Sequence, residues 1–420
     1  MTFDVIISGG GVAGAAAAAA LSEFGYSVLV IEPGLDHRKR LAGELIHPPG
    51  TADLKALGFL AGLEQAGAVP VSGFAVFPGG SNATYLMPYS DGAELRTGLA
   101  VEHGVLAESL LNVVQRLPNV TVWTGGRVTS IDLSSSGFAS VTVTRGESEH
   151  LLRTGLLIAA DGRSSPLRRM SGIGHKQIHI SNMVGYTIDG DNLPHPGFGH
   201  VFVGKTAPVL AYQISRTETR IMFDVPLTSD EADLDSLPRG LRGAVEAVVN
   251  TQAPLRAANY SVVPEAVYKG RMVCVGDAGG SCHPLTATGL SACTRDAILL
   301  RQALRETRRE IPAALARYAS LREGPQRTRL AGAEVLYDVF RGQTLEMRMM
   351  RDALFRYWQN SPRGRVITMA LLSTEEHRLS VLIREYINVC RHTMPELIRK
   401  AHTRRHAVMA MSRGLLRFVK

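Results

Sequence analysis

The sequence has little of what defines several common classes of protein. It contains four cysteines, Cys274, Cys282, Cys293 and Cys390, whose spacing fits neither a disulfide framework nor a metal site. No apolar run reaches the roughly 18 residues that a membrane-spanning helix needs. A strand pattern starts almost at the first residue, so we expect no signal or transit peptide before the fold. These absences indicate a reduced, cytoplasmic protein without a metal site.

Charge is distributed unevenly along the chain, which has a formal net charge of +8. Residues 301–420 contain 24 Lys and Arg against 11 Asp and Glu, whereas the first 300 residues contain 22 against 27. Such asymmetry suggests an anionic partner for the C-terminal part. No nucleic-acid-binding motif accompanies the charge, so we expect no nucleic-acid partner. Peripheral contact with an anionic membrane and a merely solvated basic face are the two alternatives.

The chain begins with the pattern of a dinucleotide-binding unit. A predicted strand at residues 4–8 is followed by glycines at 9, 11 and 14 and then by an alanine-rich helix. These glycines permit a tight turn, close approach of the backbone to a pyrophosphate, and packing of helix on strand. Glu32 ends the next predicted strand, where a carboxylate would bind ribose hydroxyls. Because a carboxylate repels a 2′-phosphate, the site suits FAD or NAD rather than NADP.

Two later blocks extend this pattern. Asp161 and Gly162 follow an apolar run, and Gly276 and Asp277 follow a predicted buried strand at residues 271–275. Ligands of open α/β sheets bind at such carboxyl ends. Asp277 alone would fit a helix cap, but beside the glycine turn we favour flavin binding. No second glycine turn of this kind follows, so we expect no separate nicotinamide domain.

The three blocks, in this order, resemble the single-component flavoprotein monooxygenases of the para-hydroxybenzoate hydroxylase fold. The sequence from His283 to Leu290 narrows the resemblance to squalene epoxidase and its relatives, as do the Gly-Glu-Leu of residues 43–45 and the strands predicted at 208–220. The chain departs from that family at Ala287 and Thr288, where glycines are usual, and at Phe74, where a Tyr near the substrate is usual. These departures leave the identity of the substrate open.

The resemblance implies an α/β fold with three parts. We expect a Rossmann-like FAD-binding domain from residues 1–70, 97–180 and 259–320, an interleaved, mainly β substrate domain from 71–96 and 181–258, and a basic helical region at 321–420.

The resemblance also implies an FAD-dependent monooxygenase. One atom of O2 would pass, through a C4a-(hydro)peroxyflavin, into a large apolar substrate such as a terpenoid, polyene or prenylated aromatic. NADPH or NADH would supply electrons, directly or through a reductase, and we favour direct reduction at the Asp161-Gly162 block. An aromatic hydroxylase of polyketide or quinone biosynthesis and a non-oxygenase flavoprotein, such as an isoprenoid reductase, are the alternatives.

Site residues follow from the same motifs. The candidates for a catalytic role are His283, Pro284 and Thr286, and the alternative for His283 is that it stabilises the loop. The candidates for substrate binding are Phe74 and Tyr212. The predicted cofactor-binding residues are Gly9, Gly11, Val12, Ala13, Gly14, Glu32, Pro33, Arg40, Glu44, Asp161, Gly162, Gly276, Asp277, Pro284, Thr288, Gly289 and Leu290.

Overall fold

The computed structural model of the chain describes residues 1–34, 41–79, 84–90, 96–204, 206–229 and 232–392. The strands in these ranges are β1 Thr2–Ser8, β2 Val28–Glu32, β3 Leu45–Ile46, β4 Val69–Val71, β5 Gly73–Phe77, β6 Tyr85–Pro88, β7 Gly98–Ala100, β8 Val120–Thr124, β9 Gly126–Asp132, β10 Ala139–Arg145, β11 Ser148–Ala159, β12 His175–Asp189, β13 Gly199–Val203, β14 Pro208–Gln213, β15 Glu218–Pro226, β16 Leu255–Pro264, β17 Tyr268–Lys269 and β18 Met272–Cys274. The α-helices are α1 Val12–Ser22, α2 Pro48–Ala56, α3 Leu60–Gln65, α4 His103–Val114, α5 Pro166–Met170, α6 Arg239–Val249, α7 Gly289–Glu306, α8 Ile311–Arg341, α9 Leu345–Asn360, α10 Pro362–Leu372 and α11 Leu379–Arg391.

A sheet with a parallel centre carries the N-terminal motif. Its order is β17-β18-β11-β1-β2-β8, and β9 and β10 extend it as an antiparallel ribbon paired with β11. Strands β8, β2, β1, β11 and β18 are parallel. Every residue of β2 is buried, as expected for a central parallel strand that is covered on both faces.

Helix α1 is buried almost all round. Residues 12–21 are all buried, and six consecutive alanines occupy positions 15–20. Such a helix lacks the polar face of a surface helix, and its small side chains let it approach its neighbours closely. Buried residues of α1, α4 and α7 belong to one apolar core, which covers one face of the first sheet.

The second sheet is mostly antiparallel, with the order β16-β12-β15-β14-β13-β5-β6. Only its β13–β5 pair is parallel. A third, three-stranded sheet has the order β3-β7-β4, and its strands lie between β2 and β8 in sequence.

The C-terminal helices pack against the second sheet. One apolar core combines residues of β5, β13 and β14 with residues of α8, α9, α10 and α11. A separate core, which includes Leu241 and Val245 of α6, covers other residues of this sheet. None of the helices in the described part of the chain is both long and apolar enough to cross a membrane.

The proposed domain boundaries can be compared with the strands. The boundary after residue 180 falls within β12, and the boundary after residue 258 falls within β16. Both strands pair within the second sheet along their length. A division at the ends of these strands therefore keeps the sheets whole, and we propose the domain boundaries in that form.

Candidate functional site

The glycine turn after β1 brings backbone atoms into contact. An ideal Cβ built at Gly14 would lie 1.8 Å from the carbonyl oxygen of Gly9, so only glycine fits there. The same Gly9 would place a Cβ 2.4 Å from the carbonyl oxygen of Ala160. At Gly11, by contrast, a Cβ meets nothing within 4 Å, and no side chain caps the start of α1. The first amides of α1, including those of Val12 and Ala13, therefore adjoin open space suited to a phosphate.

Glu32 fixes the loops on both sides of this space. Its Oε2 accepts the amide hydrogen of Gly10 at 2.7 Å, and its Oε1 accepts that of Gly34 at 3.0 Å. Each carboxylate oxygen has further acceptor capacity for a ribose hydroxyl. Pro33 follows Glu32 and is exposed.

Asp161 performs a local structural task. Its Oδ1 accepts the hydroxyl of Ser165 at 2.5 Å and its Oδ2 accepts the amide of Leu167 at 2.9 Å, which anchors the start of α5. Burial raises the pKa of the Asp161 carboxyl, and these hydrogen bonds oppose that rise. The next residue, Gly162, has a φ of +77°. The sequence motif is therefore explained in part by the turn itself.

Fully buried Arg168 connects this block to the Gly276 block. Its Nη1 donates to the carbonyl of Ala278 at 2.7 Å, and its Nη2 donates to the carbonyl of Arg163 at 2.8 Å. Sequence motifs that lie more than a hundred residues apart thus meet at one edge of the first sheet.

A buried ion pair holds the Gly276 turn. The amide of Gly276 donates to Asp296 Oδ2 at 2.8 Å, and Arg322 Nε donates to Asp296 Oδ1 at 2.8 Å. A Cβ at Gly276 would lie 2.7 Å from that of Ala13, so this turn touches α1 directly. The carboxylate of neighbouring Asp277 is partly exposed and accepts no hydrogen bond from the residues that the structure describes.

His283 stabilises the loop that leads into α7. Its Nδ1 accepts the amide of Leu285 at 3.2 Å, so Nε2 carries the proton of the neutral ring and donates to Asp224 at 3.2 Å. The ring stacks on Tyr337 at 3.9 Å between centroids, and the Tyr337 hydroxyl donates to Asp224 at 2.8 Å. Both ring nitrogens are thus occupied by the protein, which favours the loop-stabilising alternative for this histidine.

His47 contacts the same loop from α2. Its Nε2 donates to the carbonyl of Thr286 at 2.8 Å, and its Nδ1 therefore accepts the Tyr89 hydroxyl at 2.8 Å. Burial lowers the pKa of His47 to about 4, so the ring is neutral at pH 7. The sequence analysis missed both residues. The available signal was the position of His47, which lies directly before Pro48 and shortly after the Gly-Glu-Leu of residues 43–45 that carries the family resemblance.

Two cavities adjoin the loop that contains Thr286. The larger, of about 110 Å³, is lined by Thr286 and Thr288 and by residues of α8, α9, α10 and α11. The smaller, of about 20 Å³, lies between His47, Phe74 and the same helices. Thr286, Leu336 and Leu372 border both cavities. The two spaces therefore share one wall, which runs from the loop into the helices.

The other predicted site residues lie at different distances from these cavities. Phe74 borders the smaller one. Tyr212 borders neither of them, because its side chain lies in the core with its hydroxyl 3.8 Å from the sulfur of Met222. Glu44 is bound by Arg220, whose Nη2 lies 2.8 Å from Oε1 and whose Nε lies 3.0 Å from Oε2. We therefore assign Glu44 and Tyr212 to the support of the site.

The remaining predictions concern the start of α7. Pro284 begins the turn Pro284–Thr286, Gly289 begins the helix, and Leu290 is buried beneath it. A Cβ at Gly289 would meet nothing within 4 Å, and no side chain caps the helix. Arg40 lies outside the described residues.

The residues fit FAD in three respects. Open space adjoins the uncapped start of α1, where a pyrophosphate would bind. Asp277, whose carboxylate accepts no hydrogen bond from the residues described, lies beyond β18 and could accept one from a ribityl hydroxyl. The uncapped start of α7 offers further amides toward an anionic ring.

Comparison with known proteins gives a consistent answer. The sequence model of the squalene epoxidase family matches residues 153–409. Squalene epoxidase erg1 of Schizosaccharomyces pombe is 30% identical over 313 residues, which cover 71% of this chain and 68% of that protein. The chain belongs to the squalene epoxidase family. Squalene monooxygenase of Mus musculus is 29% identical over 414 residues, covering 92% of this chain and 70% of the mouse protein.

Solved structures share the fold at lower identity. The flavin-dependent brominase Bmp2 superposes with a TM-score of 0.76 and 18% sequence identity. The aligned region covers 95% of this chain and 100% of the Bmp2 chain. PqsL of P. aeruginosa, in complex with 2-aminobenzoylacetate, superposes with a TM-score of 0.68 and 20% sequence identity. The aligned region covers 88% of this chain and 99% of the PqsL chain. The predicted α/β fold of a flavoprotein monooxygenase with a second, mainly β part and a C-terminal helical region is confirmed.

This member of the squalene epoxidase family is an FAD-dependent monooxygenase, as the sequence predicted. FAD is its cofactor and NADPH is the electron donor. Family membership indicates a reductase between NADPH and the enzyme, which corrects our preference for direct reduction. That preference rested on the absence of a visible docking feature, and an interaction surface made of ordinary polar residues has no sequence signature.

Proposed function

We propose that this enzyme epoxidises a carbon–carbon double bond in a long isoprenoid or polyene, and that squalene is the first substrate to test. One observation carries the proposal. The larger cavity starts at Thr286 and Thr288, beside the start of α7, and continues between apolar side chains of four helices that include Leu336, Leu354 and Val389. An apolar chain gains free energy on leaving water for such a space, about 25 cal/mol per Å² of apolar surface buried.

The size of the cavity suggests how much of the substrate enters. An engineered cavity of about 150 Å³ in another protein holds benzene, so one of about 110 Å³ admits roughly one isoprene unit. We infer that a single alkene enters beside the loop, while the rest of the chain extends between the helices as they separate.

We propose that FAD is held by the amides at the start of α1, by Glu32, and by Asp277. Bound and reduced, FAD supplies the activation of O2, from which one atom enters the alkene and the other leaves as water, with two electrons from NADPH. The role of the protein is to orient the cofactor and the substrate and to enclose them. Neutral His47 holds the Thr286 carbonyl at 2.8 Å, and the His283 network fixes the preceding turn. Transfer of oxygen to an alkene requires no side-chain nucleophile.

The direct test supplies FAD-loaded enzyme with NADPH, a reductase, squalene and ¹⁸O2, and follows the product by mass spectrometry. We expect one labelled oxygen atom in an epoxide. Leu336→Trp, which fills the shared wall of both cavities, should abolish turnover while the protein retains FAD. Leu151→Trp is the matched control, since Leu151 is 67% exposed on β11. Full turnover by Leu336→Trp would contradict the assignment of the cavity.

The electron route can be tested separately. Mixing the enzyme with NADPH in the absence of oxygen should leave the flavin oxidised until a reductase is added. Rapid bleaching of the flavin by NADPH alone would show that NADPH reduces the flavin directly, without a reductase.

We also propose peripheral contact of the C-terminal segment with anionic lipid. The structure limits which residues this proposal can involve, since Val381, Tyr386 and Val389 of α11 are buried against the other helices. The contact therefore belongs to residues 393–420, which lie outside the described part and include Leu415, Leu416, Phe418 and several arginines. Each Lys or Arg near an anionic surface contributes about 1 kcal/mol.

Truncation before Arg404 tests this. The full chain should co-sediment with acidic vesicles at low salt and be released at high salt, since charges are screened over about 8 Å at physiological ionic strength. The truncated chain should not co-sediment, and should keep its FAD. Loss of FAD on truncation would mean instead that the segment is part of the fold.

A further inference from the structure

Helix α8 places two buried polar residues at the edge of the larger cavity. Thr328 and Arg329 are 5% and 8% exposed, and both line the cavity. Within the described part of the chain, Thr328 Oγ1 and Arg329 Nη1 are buried without a hydrogen-bond partner. The rest of the guanidinium is held, because Nη2 donates to the Gly280 carbonyl at 3.2 Å and Nε to Gln326 Oε1 at 3.1 Å. Two adjacent donor groups are thus held in place without an acceptor.

Other hydroxyl groups of the cavity wall do have partners. Thr286 and Thr288 bond to each other at 3.1 Å between their Oγ1 atoms. Thr368 donates to the Gly364 carbonyl at 2.7 Å. The shortage of acceptors is therefore confined to residues 328 and 329, at the part of the wall that α8 contributes.

A hydrocarbon cannot relieve this shortage. Buried donors are almost always paired in native proteins, and a donor that loses water without gaining an acceptor weakens binding. Filling the cavity with a purely apolar chain would leave both Thr328 and Arg329 unpaired. A carbonyl or hydroxyl oxygen on the bound molecule would give either group an acceptor, and a hydrogen bond to a guanidinium is among the stronger kinds.

We propose that Thr328 and Arg329 recognise a carbonyl or hydroxyl oxygen of the substrate. This inference rests on the proposed function. It specifies that, among isoprenoid or polyene chains, those that carry an oxygen bind in preference to pure hydrocarbons such as squalene. The oxygen binds beside α8 and the apolar chain lies among the Leu, Val and Met side chains of the cavity.

A pair of probes of equal length tests the proposal. Farnesylacetone carries a ketone on an isoprenoid chain, and its hydrocarbon counterpart has a methylene in place of the carbonyl. Binding to the FAD-loaded enzyme is measured by flavin difference spectra and by thermal shift. We expect the ketone to bind at least about tenfold more tightly. Thr328→Val keeps the shape and removes the hydroxyl, and should reduce this preference about three- to tenfold.

Two further variants keep the result interpretable. Thr368→Val removes a hydroxyl that already has a partner on the same cavity, and should leave the preference unchanged. Arg329→Lys keeps the charge but not the fork of donors, and should reduce the preference as Thr328→Val does. A loss of FAD in Thr328→Val with an unchanged preference would overturn the proposal, because the donor would then serve the cofactor.

The outcomes also separate the two proposals. If the wild-type enzyme epoxidises alkenes but binds the ketone and the hydrocarbon equally, the oxygen-recognition proposal fails and the proposed function stands. If it neither binds nor oxygenates either probe or squalene, both fail.

Discussion

The cofactor side and the substrate side of this protein are built from different kinds of contact. On the cofactor side, backbone approaches backbone, so that Gly14 faces the carbonyl of Gly9, and Gly276 touches Ala13. On the substrate side, side chains of four helices surround the cavity, and Leu, Val and Met share the wall. Close backbone contact fixes residue identity, whereas an apolar volume can be filled in many ways.

Buried polar groups on both sides include atoms without a partner, since Arg168 Nε and Arg322 Nη2 beside the cofactor site are also unpaired within the described structure. The two sides differ in what the paired groups hold and in whether a cavity adjoins the unpaired ones. Beside the cofactor site, Asp296 binds both Arg322 and the amide of Gly276. At the cavity, Thr328 and Arg329 each have a polar atom without a partner within the described structure. Polar groups on the cofactor side therefore hold the backbone, while this pair is available to a ligand.

Gly14→Val is the strongest test of the cofactor side. The new Cβ would lie 1.8 Å from the Gly9 carbonyl oxygen, so the turn and α1 must separate. We expect nearly complete loss of bound FAD, measured as the ratio of flavin to protein absorbance. Gly243→Val in α6 is the control, since a Cβ there meets nothing within 4 Å. If the Gly14 variant retained FAD as well as the control, the backbone-contact account would be wrong.

His47 lies where the two sides meet. Its titration should produce the second-largest effect, a change in the free energy of unfolding with pH. The pKa falls from 6.5 to about 4 on folding because the ring is buried. Between these values the unfolded chain binds a proton that the folded chain does not. The contribution of His47 to the free energy of unfolding should therefore fall as pH drops from about 6.5 to about 4, by up to roughly 3 kcal/mol, and stay level below that.

His47→Gln removes this contribution while Gln can still donate to Thr286. Denaturant unfolding at a series of pH values should show a smaller loss of stability in acid than for the wild type. His200, whose pKa burial also lowers to about 4, is present in both proteins and cancels in the comparison. Identical pH profiles would mean that His47 is solvated.

Asp277→Ala probes a single contact on the cofactor side. The carboxylate accepts no hydrogen bond in the part of the chain described, and burial, which raises its pKa, outweighs the charges of Arg329, Arg163 and Arg322. We therefore expect little loss of stability in the apoprotein. Loss of a hydrogen bond to a charged acceptor should weaken FAD binding by about 1.5–3 kcal/mol, or roughly 10- to 100-fold, by flavin titration of the apoprotein. Asp132→Ala, at an exposed position of β9, should have no effect. Unchanged FAD affinity would remove Asp277 from the site.

Ala287→Gly gives the smallest effect and concerns the loop between the sides. Ala287 has a φ of +51°, a left-handed conformation that favours glycine. Replacing it should raise the free energy of unfolding by up to about 1 kcal/mol, after the larger chain entropy of glycine is subtracted. Ala292→Gly, inside α7, should lower it by about 1 kcal/mol. Destabilisation by both variants would show that the Ala287 methyl group contributes to packing.

The cofactor side could be predicted from sequence because its glycines and acids are spaced along strand–turn–helix units. The first turn, Glu32 and the Gly276 block all lie at strand ends, as predicted. What could not be predicted is how Arg168 and Arg322 connect these segments. Arg168 belongs to the block that begins at Asp161, but the spacing of that block does not show that its side chain reaches Ala278. Arg322 belongs to no block, and its pairing with Asp296 depends on how α8 packs on α7.

The substrate side was predicted only in outline. A helical region was expected at residues 321–420, and α8 to α11 occupy much of residues 311–391. The contribution of each helix to a cavity depends on packing that leaves no periodic signature beyond an apolar face. Phe74 was identified through a family resemblance, whereas His47 and Tyr89 were missed because a buried histidine and a buried tyrosine are ordinary core residues in sequence. In the sequence, Thr328 and Arg329 look like one polar turn of a helix. Only the structure shows that their side chains are buried.

The strand order of the first sheet has a consequence for when the cofactor can bind. Ile7 of β1 pairs with Ile158 of β11, and the turn after β18 depends on Asp296 and Arg322. During synthesis the N-terminal glycine turn therefore emerges long before its neighbours, and it stays incomplete until α8 has followed. We therefore expect FAD to be acquired late, after most of the chain has left the ribosome, and until then the side of the alanine-rich α1 that packs on α7 is uncovered.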